Sequence, residues 1–557
     1  MSDIAASRNG GRILVDALKL NGADTVYCVP GESYLAVLDA LYDTPAIRTI
    51  TTRHEGAASN MADAYGKFTG RPGICFVTRG PGATHASNGV HTASEDSTPM
   101  LLFIGQVDRG LIGRGAFQEV DYRQMFGGIA KWVTEIDDVA RIPEIISKAY
   151  SIALSGRPGP VVIALPEDVL VDTAEVADAP RVRIAQAAPQ PAALDELRAR
   201  LAQAERPLVI VGGTGWNADA SAALARFVHA NHLPVAASFR RQDLFDNRDA
   251  HYVGQLGLGI SPKLAQRAGE ADLLIVIGSR LAETTSTGYT LFQSPVTKQT
   301  LIHVHPDAEE LGRVYNAHLP IHSSLAAFAL ALDDIAPIEP AIQQRWHEWT
   351  DAAHADYLAH STAPARSVAI QGVDLAAVVD HLNTVLPENA AISNGAGNYT
   401  VWVHRFYRYR RPATELAPTN GAMGYGLPAA IAAKLHDPTR DVVCFAGDGC
   451  FMMYPQELAT AVQFGAPLIV IIVNNNMLGT IRMHQEREYP GRVSATRFVN
   501  PDFVALARAF GAHAERVEET GDFPAAFERA RSAGVPAVIE LRTDPLQITP
   551  VARLAQD

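Results

Sequence analysis

Cysteine is scarce in this chain. Four occur among 557 residues (Cys28, Cys75, Cys444, Cys450), and the first three sit inside apolar, strand-like runs. Neither metal-ligand spacing nor a disulfide framework can be drawn from them. Basic runs are missing too. The formal charge of −13 is spread along the chain, which excludes nucleic acid as an expected partner. The opening MSDIAASRNGGRILVDALKLNG lacks an apolar stretch long enough for a signal peptide, and no run long enough for a membrane span is expected. No short-period repeat is visible. With 47% hydrophobic and 19% charged residues, the rest describes a globular protein with a large core. The expectation is a reduced, cytoplasmic protein without a membrane contact.

The length suggests about three domains, and three α/β blocks can be marked. The first, 1–172, contains TVYCV, ICFVTRGPGATHA, PMLLFIGQV and PVVIALPEDV; residues 173–194, rich in Ala and Pro, read as a linker. The second, 195–335, contains PLVIVGGTG, ADLLIVIGSRL and TLIHVHPD. A Pro/Ala-rich connection with a polar helix leads to the third, 367–545, and the last residues read as a short tail. Apolar strand runs alternating with amphipathic helical stretches predict an α/β protein of three doubly wound parallel-sheet domains.

The most informative segment is DVVCFAGDGCFMMYPQELATAVQFGAPLIVIIVNNNMLGTIR. It reads as a strand ending at Gly447-Asp448-Gly449, a helix over 455–464, and a second strand over 468–473 that delivers Asn474-Asn475. A right-handed crossover brings both strand ends to one sheet edge. There the Asp448 carboxylate and the Asn475 amide oxygen offer hard donors of modest charge, suited to Mg²⁺ and phosphate oxygens, with a helix N-terminus facing the phosphate. GDG alone is common; GDG with paired asparagines at two strand ends is far more specific.

These residues resemble the diphosphate-binding motif of thiamine-diphosphate (ThDP) enzymes. Further motifs extend the resemblance over nearly the whole chain: VPGES (29–33), RHEGAASNMADAYGKFTGRPG (53–73), VTRGPGAT (77–84), AFQEVD (116–121) and GAMGYGLPAAI (421–431). Their order is similar to that of the acetolactate synthase/pyruvate oxidase group, acetolactate synthase large subunits above all. The resemblance implies pyrimidine-binding, central and diphosphate-binding domains, and ThDP with Mg²⁺ as cofactors. It implies a 2-oxo acid substrate, decarboxylated and joined to a second carbonyl, in a homo-oligomer with active sites between subunits. It does not speak to a regulatory subunit.

Carried over position by position, the resemblance makes Glu55 the acid that hydrogen-bonds the aminopyrimidine ring; read alone, it is an acidic residue in a first helical turn. Asp448, Asn475 and the Met477 carbonyl would hold the metal. Gly449 and Cys450 would approach the diphosphate through backbone amides, with Asn398, Tyr399, Gly421 and Leu478 beside it. Met423 would be the apolar wedge under the bent cofactor, and otherwise a core methionine. Pro30 and Gly31 would lie against the cofactor's other end. Gly82, Gln118 and Thr480 are candidates for lining the substrate pocket.

Departures from the family pattern concern the substrate. His484 stands where acetolactate synthases usually carry a tryptophan, and either lines the pocket or is a solvated helix histidine. Glu32 replaces a small residue; it either relays protons near the reacting carbon or caps the following helix. His85 and His91, six residues apart, do not share a helical face, so a metal pair is not expected, and His91 either touches the site or is a packed histidine, the latter favoured. The central block replaces an acidic segment with His303-Val304-His305-Pro306-Asp307, which points away from tightly bound FAD. The alternatives are therefore a ThDP-dependent decarboxylase or 2-hydroxyacyl lyase, or an FAD-dependent oxidase.

Overall fold

The computed structural model describes residues 7–364, 371–497 and 499–554. The first residues of the block expected at 1–172 and residues 367–370 of the block expected at 367–545 lie outside the described residues. Three six-stranded sheets, parallel throughout, carry the chain. Their strands are short, nearly continuous apolar runs. That is what a sheet covered by helices on both faces requires.

The first sheet runs, in spatial order, Arg48–Thr51, Thr25–Cys28, Gly73–Val77, Met100–Gln106, Pro160–Pro166, Trp132–Glu135. The third runs Glu415–Leu416, Ala391–Asn394, Val442–Gly447, Ile469–Asn474, Ala537–Arg542, His513–Val517. Numbered within each sheet, both orders are 2-1-3-4-6-5, so two segments of unlike sequence share one topology. The order reverses between the first and third strands of each. At such a switch point the flanking loops diverge and leave a crevice outside the carboxyl ends of the strands. The central sheet reverses between Pro207–Val211 and Leu273–Ile277.

The predicted crossover is present in register: Val443 pairs with Ile469 and Gly447 with Val473 on adjacent parallel strands. The helix expected over 455–464 is present at Glu457–Gln463, and a further helical turn precedes it. Asp448–Phe451 is helical from the GDG turn itself, and the helix resumes at Glu457–Gln463. Pro455 lies between them, and a proline disfavours helical backbone at the residue before it. The polar stretch between the second and third blocks likewise divides into Pro340–Gln343 and His347–Ser361. The expected linker is pinned at its start, where Thr173–Ala174 pairs antiparallel with Arg8–Asn9.

The first and third sheets are joined by one apolar core that includes Val90 and Ala93 on one side and Ala429 and Ala433 on the other. Within it lies a buried ionic cluster. Lys67 contacts Asp96, stands 3.5 Å from Asp63, and donates to the Ala417 carbonyl at 2.8 Å. Tyr425 donates to Asp63 at 2.6 Å. Burial pushes the Asp63 carboxyl up and Lys67 pulls it down, with burial dominant. Among the described residues, no helix is long and apolar enough to cross a membrane.

Candidate functional site

A cavity of about 320 Å³ opens at the switch point of the third sheet. Asn398, Tyr399, Gly421, Met423, Asp448, Gly449, Cys450, Asn475, Met477, Leu478 and Thr480 all line it. The strand ends that the sequence places together are therefore together. Every lining residue lies between Val373 and Ile548, so the first sheet contributes none of the wall. The segment expected to be a short tail does contribute. Asp544, Gln547 and Ile548 line the cavity, and Ile548 is buried. Polar contacts hold the segment against the domain as well: the buried Asp544 accepts from the Gln371 amide at 3.3 Å and pairs with Arg553 at 2.6 Å.

The two asparagines separate because successive strand side chains point to opposite faces. Asn474 turns inward and donates to the buried Glu540 at 2.7 Å. Asn475 faces the cavity, with its side-chain oxygen accepting from the Met477 amide at 3.2 Å. Asn476 then adopts left-handed backbone, φ +55°, a conformation asparagine tolerates better than most residues. This reversal carries Met477 and Leu478 along the cavity wall.

Asp448 is buried, and burial pushes its carboxyl above the usual range against the bonds from Asn500 and Gly449. Its Oδ1 accepts from the Gly449 amide at 2.9 Å, so this amide turns to its neighbour's carboxylate. The Asn500 side-chain nitrogen donates to Oδ2 at 2.8 Å, and stands 3.1 and 3.2 Å from the side-chain oxygens of Asn474 and Asn476. One amide nitrogen with two hydrogens thus gathers three oxygens. This is an oxygen-rich point of the kind a hard cation occupies. Nothing in RFVNPD marks Asn500 in the sequence beyond an Asn-Pro turn signal.

Tyr399 explains two glycines. A Cβ on Gly447 or on Gly397 would lie 3.1 Å from its ring. Its hydroxyl accepts from the Gly395 amide at 3.0 Å. Thr480 donates to the Asn398 side-chain oxygen at 2.9 Å. The Cys450 thiol donates to the Ala396 carbonyl, and burial pushes its pKa up, which makes it an inert packing group.

The remaining predicted residues cluster at the switch point of the first sheet. Glu55 opens the helix Glu55–Thr69, capped by His54, whose Nδ1 accepts from the Gly56 amide at 3.0 Å. Oε2 of Glu55 lies 2.8 Å from Nδ1 of His85, and the His54 and His85 rings stack at 4.5 Å. A Cβ on Gly82 would stand 3.5 Å from Oε1 of Glu55, and one on Gly31 would run into Thr78 at 2.5 Å. Pro30 and Gly31 directly follow the strand Thr25–Cys28 and Val29. Glu32 is the first residue of the short helix Glu32–Tyr34, makes no capping bond, and pairs with Arg79 at 3.1 Å; Arg79 also contacts Glu167. Gln118 has φ +62°, a strained value for a non-glycine residue, and its carbonyl packs 2.8 Å from where a Gly80 Cβ would stand.

His484 does not line the cavity. It is exposed on the helix Gly479–Glu488 and accepts from Arg487 at 3.0 Å. His91 is not packed in the core; it is exposed and accepts from the Asn420 side chain at 3.1 Å. The sequence reading also missed Glu457. Buried at the interface with the first sheet, it accepts from the Arg53 amide at 3.1 Å and from Thr460 at 2.7 Å, and burial raises its pKa to about 7.

Three family models match the chain in order: "Thiamine pyrophosphate enzyme, N-terminal TPP binding domain" over residues 8–125, the central domain over 194–332, and the "C-terminal TPP binding domain" over 395–541. The chain belongs to the thiamine pyrophosphate enzyme family and is a ThDP-dependent enzyme. Within that family it is acetolactate-synthase-like. It is 33% identical over 528 residues to the acetolactate synthase large subunit of Parasynechococcus marenigrum, covering 92% of this chain and 84% of the relative. It is 29% identical over 541 residues to the acetolactate synthase isozyme 2 large subunit of Escherichia coli, covering 97% and 96%. It is 32% identical over 522 residues to the Lactococcus lactis acetolactate synthase large subunit, covering 90% and 87%.

Proposed function

We propose that the chain is a Mg²⁺- and ThDP-dependent carboligase of the acetolactate synthase type, taking pyruvate as donor and forming a 2-hydroxy-3-oxo acid. The observation that carries this reading is the single cavity that gathers Asp448, Asn475, Met477 and Met423 at a sheet switch point. Asp448, Asn475 and the Met477 carbonyl would hold the metal; all three residues line the cavity, and the Asn500 amide orients the Asp448 carboxylate. When bound, ThDP supplies the electron sink for decarboxylation. Met423 would pack beneath it, and Asn398, Tyr399, Gly421, Gly449, Cys450 and Leu478 would surround the diphosphate.

Glu55 is the proton-handling group. A carboxyl at a helix start, 2.8 Å from an imidazole, can hold and pass a proton. It is absent from the cavity wall. That supports a homo-oligomer in which the block 1–172 of one subunit completes the cavity formed by the block 367–545 of another, the block 195–335 lying between them in sequence. Pro30 and Gly31, with Gly82, Gln118 and Glu32 as candidate substrate contacts, surround Glu55 at the same switch point. Thr480 faces the cavity from the other side, and His484 stands beyond its rim.

Tightly bound FAD is not part of this reading. The central switch point holds only about 90 Å³ of open space between Arg157, Arg241 and Arg280, well under the few hundred Å³ usual for ligand sites. A cytoplasmic location is supported by four free, buried thiols.

Product analysis with pyruvate, ThDP and Mg²⁺ tests the assignment. Acetolactate without acetaldehyde is expected. Aldehyde alone would overturn ligation in favour of a decarboxylase or lyase, the reading that Glu32 beside Arg79 favours. A yellow, flavin-bearing preparation would bring back the oxidase.

A further inference from the structure

The central domain carries a chain of imidazoles and carboxylates far in sequence from every residue assigned above. The helix Ala218–Asn231 carries His229 in its last turn, and His232 follows as its left-handed cap, φ +52°. Asp249 and His251 lie in the loop entering the edge strand Tyr252–Gln255. His347 opens the helix His347–Ser361, which also carries Asp351. The contacts run end to end. Asp249 accepts from His229 Nε2 at 2.6 Å and meets His251 Nδ1 at 2.8 Å. His251 Nε2 meets His232 Nδ1 at 3.2 Å, and His232 Nε2 meets Asp351 at 3.0 Å.

Counting hydrogens exposes a deficit. Between Asp249 and Asp351, the rings of His251 and His232 make three contacts, and two neutral imidazoles own one N–H each. One contact is therefore a lone pair facing an acceptor unless a cation fills it. With His232 donating to Asp351 and His251 donating to His232, the bare atom is Nδ1 of His251, directed at the Asp249 carboxylate. The Nε2 of His229 converges on the same carboxylate, and the ligand atoms of these three residues lie within 4.8 Å of one another.

We propose that His229, Asp249 and His251 bind a divalent transition-metal ion of the Zn²⁺ class, with His232 and Asp351 orienting His251 from behind. Imidazole and carboxylate donors suit that class. An imidazole whose far nitrogen is fixed by a hydrogen-bonded partner is the usual arrangement around such ions. Tetrahedral bonds of about 2.0–2.1 Å place donors about 3.3 Å apart, so the half-exposed His229 has to swing outward and the 2.8 Å contact of His251 with Asp249 has to open by about half an ångström to admit the ion. Protonation is the competing way to fill the gap. The ion would tie the end of one helix to the entrance of the edge strand.

The test uses the full chain, stripped with chelator, saturated with Mg²⁺ and ThDP, then titrated with Zn²⁺ and dialysed before metal analysis. The wild type is expected to retain one equivalent of Zn²⁺ and to melt at higher temperature with it. H229Q and D249N should bind it at least about tenfold more weakly, and D351N should be weakened to a smaller degree. D448N and H85A, which alter the cavity and the other cluster of convergent ligands (His54, Glu55, His85), should retain it. Zn²⁺ uptake equal in wild type, H229Q and D249N, loss in D448N or H85A instead, or no uptake by the wild type would each overturn the proposal. None of these outcomes depends on which 2-oxo acid is turned over.

Discussion

Oε2 of Glu55 and Nδ1 of His85 share a 2.8 Å hydrogen bond across the first two helices that follow the switch point. Glu55→Gln keeps the shape and removes the acid. Turnover is expected to fall by about 10²–10⁴-fold, while ThDP affinity, read by calorimetry, stays near that of the wild type. Undiminished turnover would remove Glu55 from the mechanism. His85→Ala should cost about fivefold, the value of about one neutral hydrogen bond.

Asp448 is the carboxylate at the strand end of the cavity, and Asn500 holds Asp448. Asp448→Asn is expected to raise the Mg²⁺ concentration needed for half-maximal ThDP binding by at least about tenfold. Asn500→Ala removes a hydrogen bond to a carboxylate, about 2 kcal/mol, and should shift the same titration in the same direction. Unchanged Mg²⁺ dependence in both would place the metal elsewhere.

Stability should fall as pH rises. The Glu457 carboxyl, raised by burial to about 7 from 4.5, binds a proton in the folded chain that the unfolded chain has already released. Its contribution is fully present below pH 4.5 and is lost as pH rises through 7, a change of about 3 kcal/mol. Thermal melts between pH 5 and 8 should therefore show a smaller decline for Glu457→Gln than for the wild type. Parallel curves would mean that Glu457 is ionised throughout.

Gly73 is fixed by close backbone approach. A Cβ there would lie 1.9 Å from the Ala62 carbonyl oxygen, which is held within the helix Glu55–Thr69. Gly73→Ala should cost about 3 kcal/mol or more, measured by denaturant unfolding or seen as loss of soluble protein. Gly70→Ala differs: nothing stands within 4 Å, and the penalty comes only from its φ of +68°, about 1–2 kcal/mol.

Apolar strand runs made the three sheets legible, and glycine-flanked acids made the cavity legible, because both signals are local. What stayed hidden depends on distant contacts. Asn500 reaches Asp448 across 52 residues with no pattern of its own. Ile548 gives no sign that its segment closes a wall. Glu457 reads as a surface acid of an amphipathic helix until Arg53, 404 residues away, is seen donating to it. His484 and His91 show the opposite case, where a motif-adjacent histidine turns out to face solvent.

The buried lysine between the first and third sheets also bears on how such chains can be recombined. Lys67 comes from one module, and its acceptor Ala417 and the hydroxyl of Tyr425 come from the other. A chimera that swaps either module alone keeps Lys67 paired with Asp63 and Asp96, but it breaks the bond from the Tyr425 hydroxyl to the buried Asp63 carboxylate unless the donor carries the matching partner. The central domain is bound in the same way, since the Gln242 amide donates to the buried Glu415 at 2.7 Å and Asp243 accepts from the Thr414 amide at 3.2 Å, so a module can be exchanged only together with its buried partners.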